Sequence, residues 1–303
     1  MTPRLIFTYV LAAAASAYAL QPGILSSDWR TGGPNCVSVP DWQVHEYNED
    51  FYILRESGCI HFEKPFLYLI FGQDHALLED TGAGDVQTGP FVMSLLAKWA
   101  KKKGRTLPGL IVVHSHGHGD HIAGDQQLQD VSRLHHDLPS LNFIAATPAA
   151  LQKAAGIADW PSDIGSLDLG GRIVDVIPIP GHNDASIALF DRLTGNLLTG
   201  DSLYPGRLGV ALADVPTFAA SAARLVDFVH THEIAHVLGT HIEQTRTPYV
   251  DYPRGTTYQP DEHSLELTRA HVIELRDAFV RMRAAPATIA LPDFTIVVRG
   301  ARH

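Results

Sequence analysis

His114-Ser115-His116-Gly117-His118-Gly119-Asp120-His121 is the stretch on which the reading of this chain turns. It follows directly on Leu110-Ile111-Val112-Val113, a continuous β-branched and apolar run of the kind buried on both faces of a sheet. In extended or gently turning backbone, His116, His118 and Asp120 alternate onto one side, and Gly117 and Gly119 leave room for close backbone approach. Three more segments share the same organisation, each just past a predicted strand: His182 after Ile179, Asp201 after Thr199 and His241 after Leu238. Strand ends of a packed sheet can converge on one cleft, which is the geometry a polynuclear metal site needs. His116, His118 and His182 would make a neutral tri-imidazole site with one position left for water or hydroxide. Asp120, His121 and His241 would make a second site, and the Asp201 carboxylate could bridge the two. Paired cations lower the pKa of a shared water and stabilise charge on an attacked oxygen.

Working outward, short apolar runs at Phe51–Leu54, Phe66–Phe71 and Ala76–Leu78 predict strands, and a helix is predicted over Gly89–Lys103 with three lysines in its last turn. After the histidine-rich stretch come a strand at Leu141–Ala146, a helix at Pro148–Ala155, a strand at Ile173–Ile179 and a hairpin turning at Asp191–Asn196. A helix over about Pro216–His230 leads to the strand before His241. Asp261 is a good N-cap for a last helix carrying Leu265, Val272, Leu275, Phe279 and Met282 on one face and Arg276, Arg281 and Arg283 late. The β-branched run Phe294–Val298 predicts a final strand.

The ends and the composition bound the class. Met1–Arg4 is short and positive, Leu5–Ala15 is apolar and Ala17-Tyr18-Ala19 is a small-x-small cleavage pattern, so residues 1–19 read as a secretory signal and residues 20–303 as a single domain. No later stretch is long and apolar enough to span a bilayer. Losing the signal removes Arg4 and no acid, leaving 22 basic against 33 acidic residues, a net of −11. That excess disfavours nucleic acid and other polyanions as partners and leaves a small molecule as the expected one. In an exported chain the only two cysteines, Cys36 and Cys59, read as one disulfide, with two free buried thiols as the alternative.

The run HSHGHGDHIAG resembles the metal-binding signature of the metallo-β-lactamase superfamily, and EDTGAG, PGHNDASIALFDRLTGNLLTGDSLYPG and LGTHIE are similar to its later landmarks. The resemblance implies an α/β four-layer αββα sandwich with its site along one edge of two sheets. It also implies a metal set of His116, His118 and His182, then Asp120, His121 and His241, bridged by Asp201, with Asp80 near the site but not a ligand. The cofactors it implies are two zinc ions, although histidine and carboxylate ligands also suit iron and manganese. Asp201 departs from the pattern of true β-lactamases and is similar to that of glyoxalase II-like thioesterases and lactonases. The expected activity is therefore hydrolysis of an ester, lactone, amide or thioester by metal-bound hydroxide, with Asp120 orienting the hydroxide and Tyr204 as a candidate donor to the substrate carbonyl. A phosphodiesterase, a β-lactamase, a mononuclear iron dioxygenase acting on sulfur and a non-enzymatic metal-binding protein are the alternatives. His114 is expected behind the ligands or packed against solvent, His135 and His136 at a helix end or in a loop, and His230, His232 and His236 on the surface or behind the ligands. His263, Leu203, Pro205 and the loop Thr245–Tyr258, with Tyr249, Tyr252 and Tyr258, are candidates for the pocket rim.

Overall fold

The computed structural model describes residues 19–29, 32, 33, 36, 39–134, 136–282 and 286–300. The expected signal, apart from Ala19, and His135 and Arg283 lie outside the described residues. The chain opens with a meander, β1 (Trp42–Asn48), β2 (Phe51–Glu56), β3 (Phe66–Phe71) and β4 (His75–Glu79), then α1 (Thr88–Lys103) and β5 (Gly109–Val113). Next come α2 (Gly119–Ile122), α3 (Asp125–Leu134), β6 (Leu141–Ile144), α4 (Pro148–Ala155), β7 (Gly165–Asp168) and β8 (Ile173–Pro178). The second half holds β9 (Ile187–Asp191), β10 (Asn196–Gly200), β11 (Arg207–Ala211), α5 (Val215–Thr231) and β12 (His236–Gly239). It closes with β13 (Glu266–Leu267), α6 (Arg269–Met282), β14 (Ile289–Ala290) and β15 (Thr295–Arg299).

These strands form one sheet in the order β1-β2-β3-β4-β5-β6, a second in the order β13-β12-β10-β9-β8-β7, and a small third, β11-β15-β14. Both large sheets are mixed: β4-β5-β6 and β10-β12 are parallel, and the other pairings are antiparallel. Alternation along each strand explains why the predicted runs are apolar throughout. On β2, Phe51 and Ile53 meet Val176, Leu189 and Leu198 of the second sheet, whereas Tyr52 and Leu54 meet Val92, Leu96 and Trp99 of α1. On the far side, Ile177, Phe190 and Val237 pack under Phe218 and Val229 of α5 and Leu275 and Phe279 of α6. Three apolar interfaces between helix, sheet, sheet and helix make the expected αββα sandwich.

The helix expected from Asp261 starts eight residues later, at Arg269. Glu262 is drawn instead into a bidentate pair with Arg55, at 2.6 and 2.7 Å, and Glu266-Leu267 extends the second sheet beside β12. The chain turns into the helix only at Thr268, whose N–H donates to Nδ1 of His271 at 2.9 Å. Tertiary partners thus override a favourable local cap. The strand read over Phe294–Val298 is β15, shifted by one residue. Cys36 and Cys59 are disulfide-bonded as expected, which ties the N-terminal segment to the turn after β2.

Candidate metal centre

Every expected ligand lies at the same end of the sandwich. β5 of the first sheet runs into residues 114–121, while β8, β10 and β12 of the second run into His182, Asp201 and His241. The sheets meet where Gly200, at φ +52°, lies over Ser115; a Cβ at Gly200 would stand 2.7 Å from the Ser115 Cβ. This is the close approach that requires a glycine. Gly117 and Gly119 are not crowded by protein: a Cβ at Gly117 would reach only Ala146, at 3.5 Å, and one at Gly119 would meet nothing within 4 Å.

The donors divide into two groups. His116 Nε2 and His182 Nε2 stand 2.8 and 3.0 Å from His118 Nδ1. Asp201 Oδ2 lies 3.5 Å from His182 Nε2 and 3.9 Å from His116 Nε2. In the second group, Asp120 Oδ2 is 3.4 Å from His121 Nε2 and 3.3 Å from His241 Nε2. Asp201 turns its other oxygen, Oδ1, to this group, 3.5 Å from His121 Nε2 and 3.3 Å from His241 Nε2. Four donors at about 2.0–2.1 Å from a zinc ion stand about 3.4 Å apart, so both groups have the spacing of a tetrahedral site. His121 Nε2 is buried with no hydrogen-bond partner, which is the condition of a lone pair that awaits a cation. The residues present therefore fit two metal ions.

The rings are aimed from behind. His121 Nδ1 donates to Asp80 Oδ2 at 2.7 Å, His182 Nδ1 to the Gly209 carbonyl at 2.8 Å and His241 Nδ1 to the Glu63 carbonyl at 3.0 Å. Each bond selects the tautomer whose Nε2 lone pair faces the site. Asp80 sits at φ +65° and also accepts from the Ser115 N–H and hydroxyl, at 2.7 and 2.8 Å. Thr240 donates to Asp201 Oδ1 at 2.5 Å. His114 is buried behind the cluster, its Nδ1 on the His121 carbonyl at 3.1 Å and its Nε2 3.2 Å from Asp125.

Electrostatics separates the two groups. Burial, helped by the neighbouring His121, holds the His116 ring well below the usual histidine range. His118 is lowered by burial and by His182. In the second group burial also works against charge, yet Asp80 and Asp201 hold His121 up to about 10 and Asp201 and Asp120 hold His241 well above its usual value. Burial would raise the Asp201 carboxyl, but the charges of His241 and His121 hold it well below the carboxylate range. The second group therefore favours positive charge, which a metal ion would supply in place of protons on the two rings. Burial also pushes Glu79, both of whose oxygens lack partners, well above the carboxylate range, and Glu56 up to about 7.

A cavity of about 360 Å³ opens over the donors, walled further by Glu63, Tyr204, Arg207, Glu243, Arg254, Val297 and Arg299. The Tyr204 hydroxyl is directed at the Arg207 carbonyl, 2.8 Å, and Glu243, 3.2 Å. Leu203 is fully buried in the core. The loop 245–258 supplies Arg254 rather than its tyrosines: Tyr249 is 61% exposed, and Tyr258 faces a separate cavity of about 830 Å³ with His263. His263 pairs with Asp293 at 3.0 Å, and it is not in a helix. His232 stacks on Phe228 and His236 pairs with Glu266, both away from the site. Sequence reasoning missed Thr240, Arg207, Glu243, Arg254 and Arg299; of these, Thr240 alone adjoins a ligand in sequence.

Fold and donor geometry together define a class. The chain belongs to the metallo-beta-lactamase superfamily, whose family profile matches residues 64–282. Among curated proteins it is 24% identical over 231 residues to the acyl-coenzyme A thioesterase MBLAC2 of Homo sapiens, covering 68% of this chain and 83% of that protein. It is 25% identical over 151 residues to hydroxyacylglutathione hydrolase of Francisella tularensis subsp. holarctica, covering 50% of this chain and 52% of that one. Among solved structures, TMB-1 matches with a TM-score of 0.51 at 15% identity, over 80% of this chain and 99% of that chain. The DIM-1 metallo-beta-lactamase matches with the same TM-score, identity and coverage. At that identity these two structures attest the fold. Family membership and the donor clusters make the protein a metal-dependent hydrolase.

Proposed function

We propose that the protein is a dinuclear zinc hydrolase that cleaves an ester, lactone, amide or thioester bond in a small molecule. The observation that carries this reading is Asp201, whose two carboxylate oxygens each face a different group of three donors. Bound there, paired cations supply an activated water near neutral pH and charge stabilisation at the attacked carbonyl oxygen. His116, His118 and His182 would hold one ion, and Asp120, His121 and His241 the other. Asp120 is in addition the carboxylate best placed to orient the attacking water and hold its proton. Tyr204 braces the wall; to donate to a substrate oxygen it would have to give up the Arg207 carbonyl. The thioesterase activity for which the human relative is named favours a thioester among the four bond types.

Residues 20–303 are read as one exported domain after removal of the signal. The Cys36–Cys59 bond supports an oxidising compartment. No helix among the described residues is long and apolar enough to cross a membrane. Metal analysis paired with lactone, ester, thioester, β-lactam and phosphodiester substrates tests the activity. Two metals per chain with turnover of a carbonyl substrate are expected. One metal or none, or a His118→Ala variant of unchanged activity, overturns the reading; oxygen uptake in place of hydrolysis would establish the dioxygenase instead. N-terminal sequencing of the exported protein tests cleavage before Leu20.

A further inference from the structure

Opposite the metal donors, the cavity has a wall of different character. It is built by the small sheet, where β11 and β15 run parallel with Arg207 beside Thr295, Gly209 beside Val297 and Ala211 beside Arg299. Alternate residues of a strand share a face, so Val297 and Arg299 turn together to the cavity that they both line. Arg299 folds across Gly209: a Cβ there would stand 2.7 Å from its Nη2. The carbonyl of that same glycine accepts from the His182 ring, so β11 links the arginine wall to the first group of donors.

The three arginines of this cavity are not equivalent. Arg207 is a strut, since its Nη2 pairs with Glu243 at 2.7 Å and its Nη1 donates to the Tyr252 carbonyl at 2.6 Å. That second bond secures the loop on which Arg254 stands, two residues further on. Arg254 and Arg299 are exposed at the rim, and among the described residues neither side chain has a hydrogen bond or an ion pair. In a chain with 33 acidic and 23 basic residues, two unpaired guanidiniums over one cavity are a local reversal of the overall charge. Guanidinium groups are weakly hydrated forks that match carboxylate and phosphate oxygens. The unpaired carboxylate in the cavity, Glu63, lies on the other side, where its carbonyl holds His241, so an anion is favoured along the arginine wall and disfavoured across from it.

Resting on the hydrolytic reading above, we propose that Arg254 and Arg299 form an anion-recognition rim, and that the substrate carries a carboxylate or phosphate on an arm remote from the carbonyl that is attacked. A solvent-exposed contact of this kind is worth up to about fivefold, so two together give a preference of at most about 25-fold, with about tenfold as the expected size.

The zinc-loaded protein is assayed with phenyl acetate, its 3-carboxylate and its 3-phosphonate, each rate divided by the uncatalysed one. The anionic esters are expected to exceed phenyl acetate about tenfold in kcat/KM at low salt, with the preference shrinking as salt rises. In the Arg254→Gln/Arg299→Gln double variant the ratio falls to near one; Arg133→Gln/Lys153→Gln, an equal charge change on the exposed faces of α3 and α4, keeps it. A ratio near one in the unaltered protein, or a preference that survives the double variant, overturns the proposal. The carboxylate and phosphonate arms show which anion the rim prefers. Independently of turnover, benzoate but not benzyl alcohol should slow phenylglyoxal modification of Arg254 and Arg299 relative to Arg133, read by mass spectrometry; absent protection overturns the rim. Protection with no ester hydrolysed would leave the rim standing and remove the hydrolytic reading.

Discussion

The two ends of the double sheet treat buried charge in opposite ways. At the end away from the metal donors, Arg172 precedes β8 and crosses between the sheets. It donates to Asp191 at 3.0 and 2.5 Å and to the carbonyls of Asp50 and Phe71 at 2.7 and 3.0 Å. Thr194 adds a bond to the same Asp191 carboxylate. This charge is spent on joining the sheets. At the other end, strands of the same two sheets deliver histidines and aspartates whose outer atoms are fixed and whose inner atoms converge on each other. His121 shows the difference in one ring, with Nδ1 on Asp80 and Nε2 buried without a partner. The closed end is not free of buried polar atoms without a well-formed hydrogen bond, since the Asn196 amide and the Tyr47 hydroxyl are two such groups, but both are neutral. What marks the functional end is convergence of ionisable donors held in place from behind.

The comparison is broken most severely by removing the bridge. Asp201→Ala takes one donor from each group at once, so metal content is expected to fall below two per chain and hydrolysis to background, by metal analysis and a substrate assay. Arg172→Met attacks the other end. It leaves Asp191 buried with its charge unpaired, which costs about 3–5 kcal/mol of stability. Denaturant unfolding should show that loss while the folded variant still holds its metals; a variant that loses metal at unchanged stability would show that the two ends are not separable. Next in size, the Cys36–Cys59 bond spans 23 residues and constrains the unfolded chain by about 3 kcal/mol. The Cys36→Ser/Cys59→Ser variant should unfold earlier by that amount, again with its metal content intact.

How much of this could be read from the chain follows from distance along it. The four candidate segments were readable because each follows its own apolar strand run, and because four of the seven expected ligands lie within six residues. The strands were readable from runs such as Phe66–Phe71 that are apolar on both faces, while their layering as a sandwich came through the resemblance of HSHGHGDHIAG and its later landmarks. The start of α6 was not, because Glu262 is claimed by Arg55, 207 residues away. Helix α3 was missed since it buries only Leu128, and β11 since its run is short and broken by Gly209. The arginine wall was invisible for a related reason: Arg299 comes to lie across Gly209, on the strand that Arg207 opens, only when β11 pairs with β15. No local period announces a contact of that kind.

Asp80 offers the finest test of the contrast between the ends. It touches no expected metal position, yet it fixes His121 through one oxygen and the Ser115 backbone through the other. Its φ of +65° is a conformation that asparagine also tolerates, so Asp80→Asn keeps the backbone turn and removes the charge. The amide can still accept from one partner, but it no longer stabilises the positive ring or raises the basicity of Nε2. Metal affinity at the second group is expected to drop about 10–100-fold, with the first group nearly unchanged. Competition with a chelator should therefore resolve two classes of metal in the variant, a tight one and a weakened one. Equal weakening of both would mean that Asp80 supports the whole loop 114–121 through Ser115 rather than the His121 ring alone.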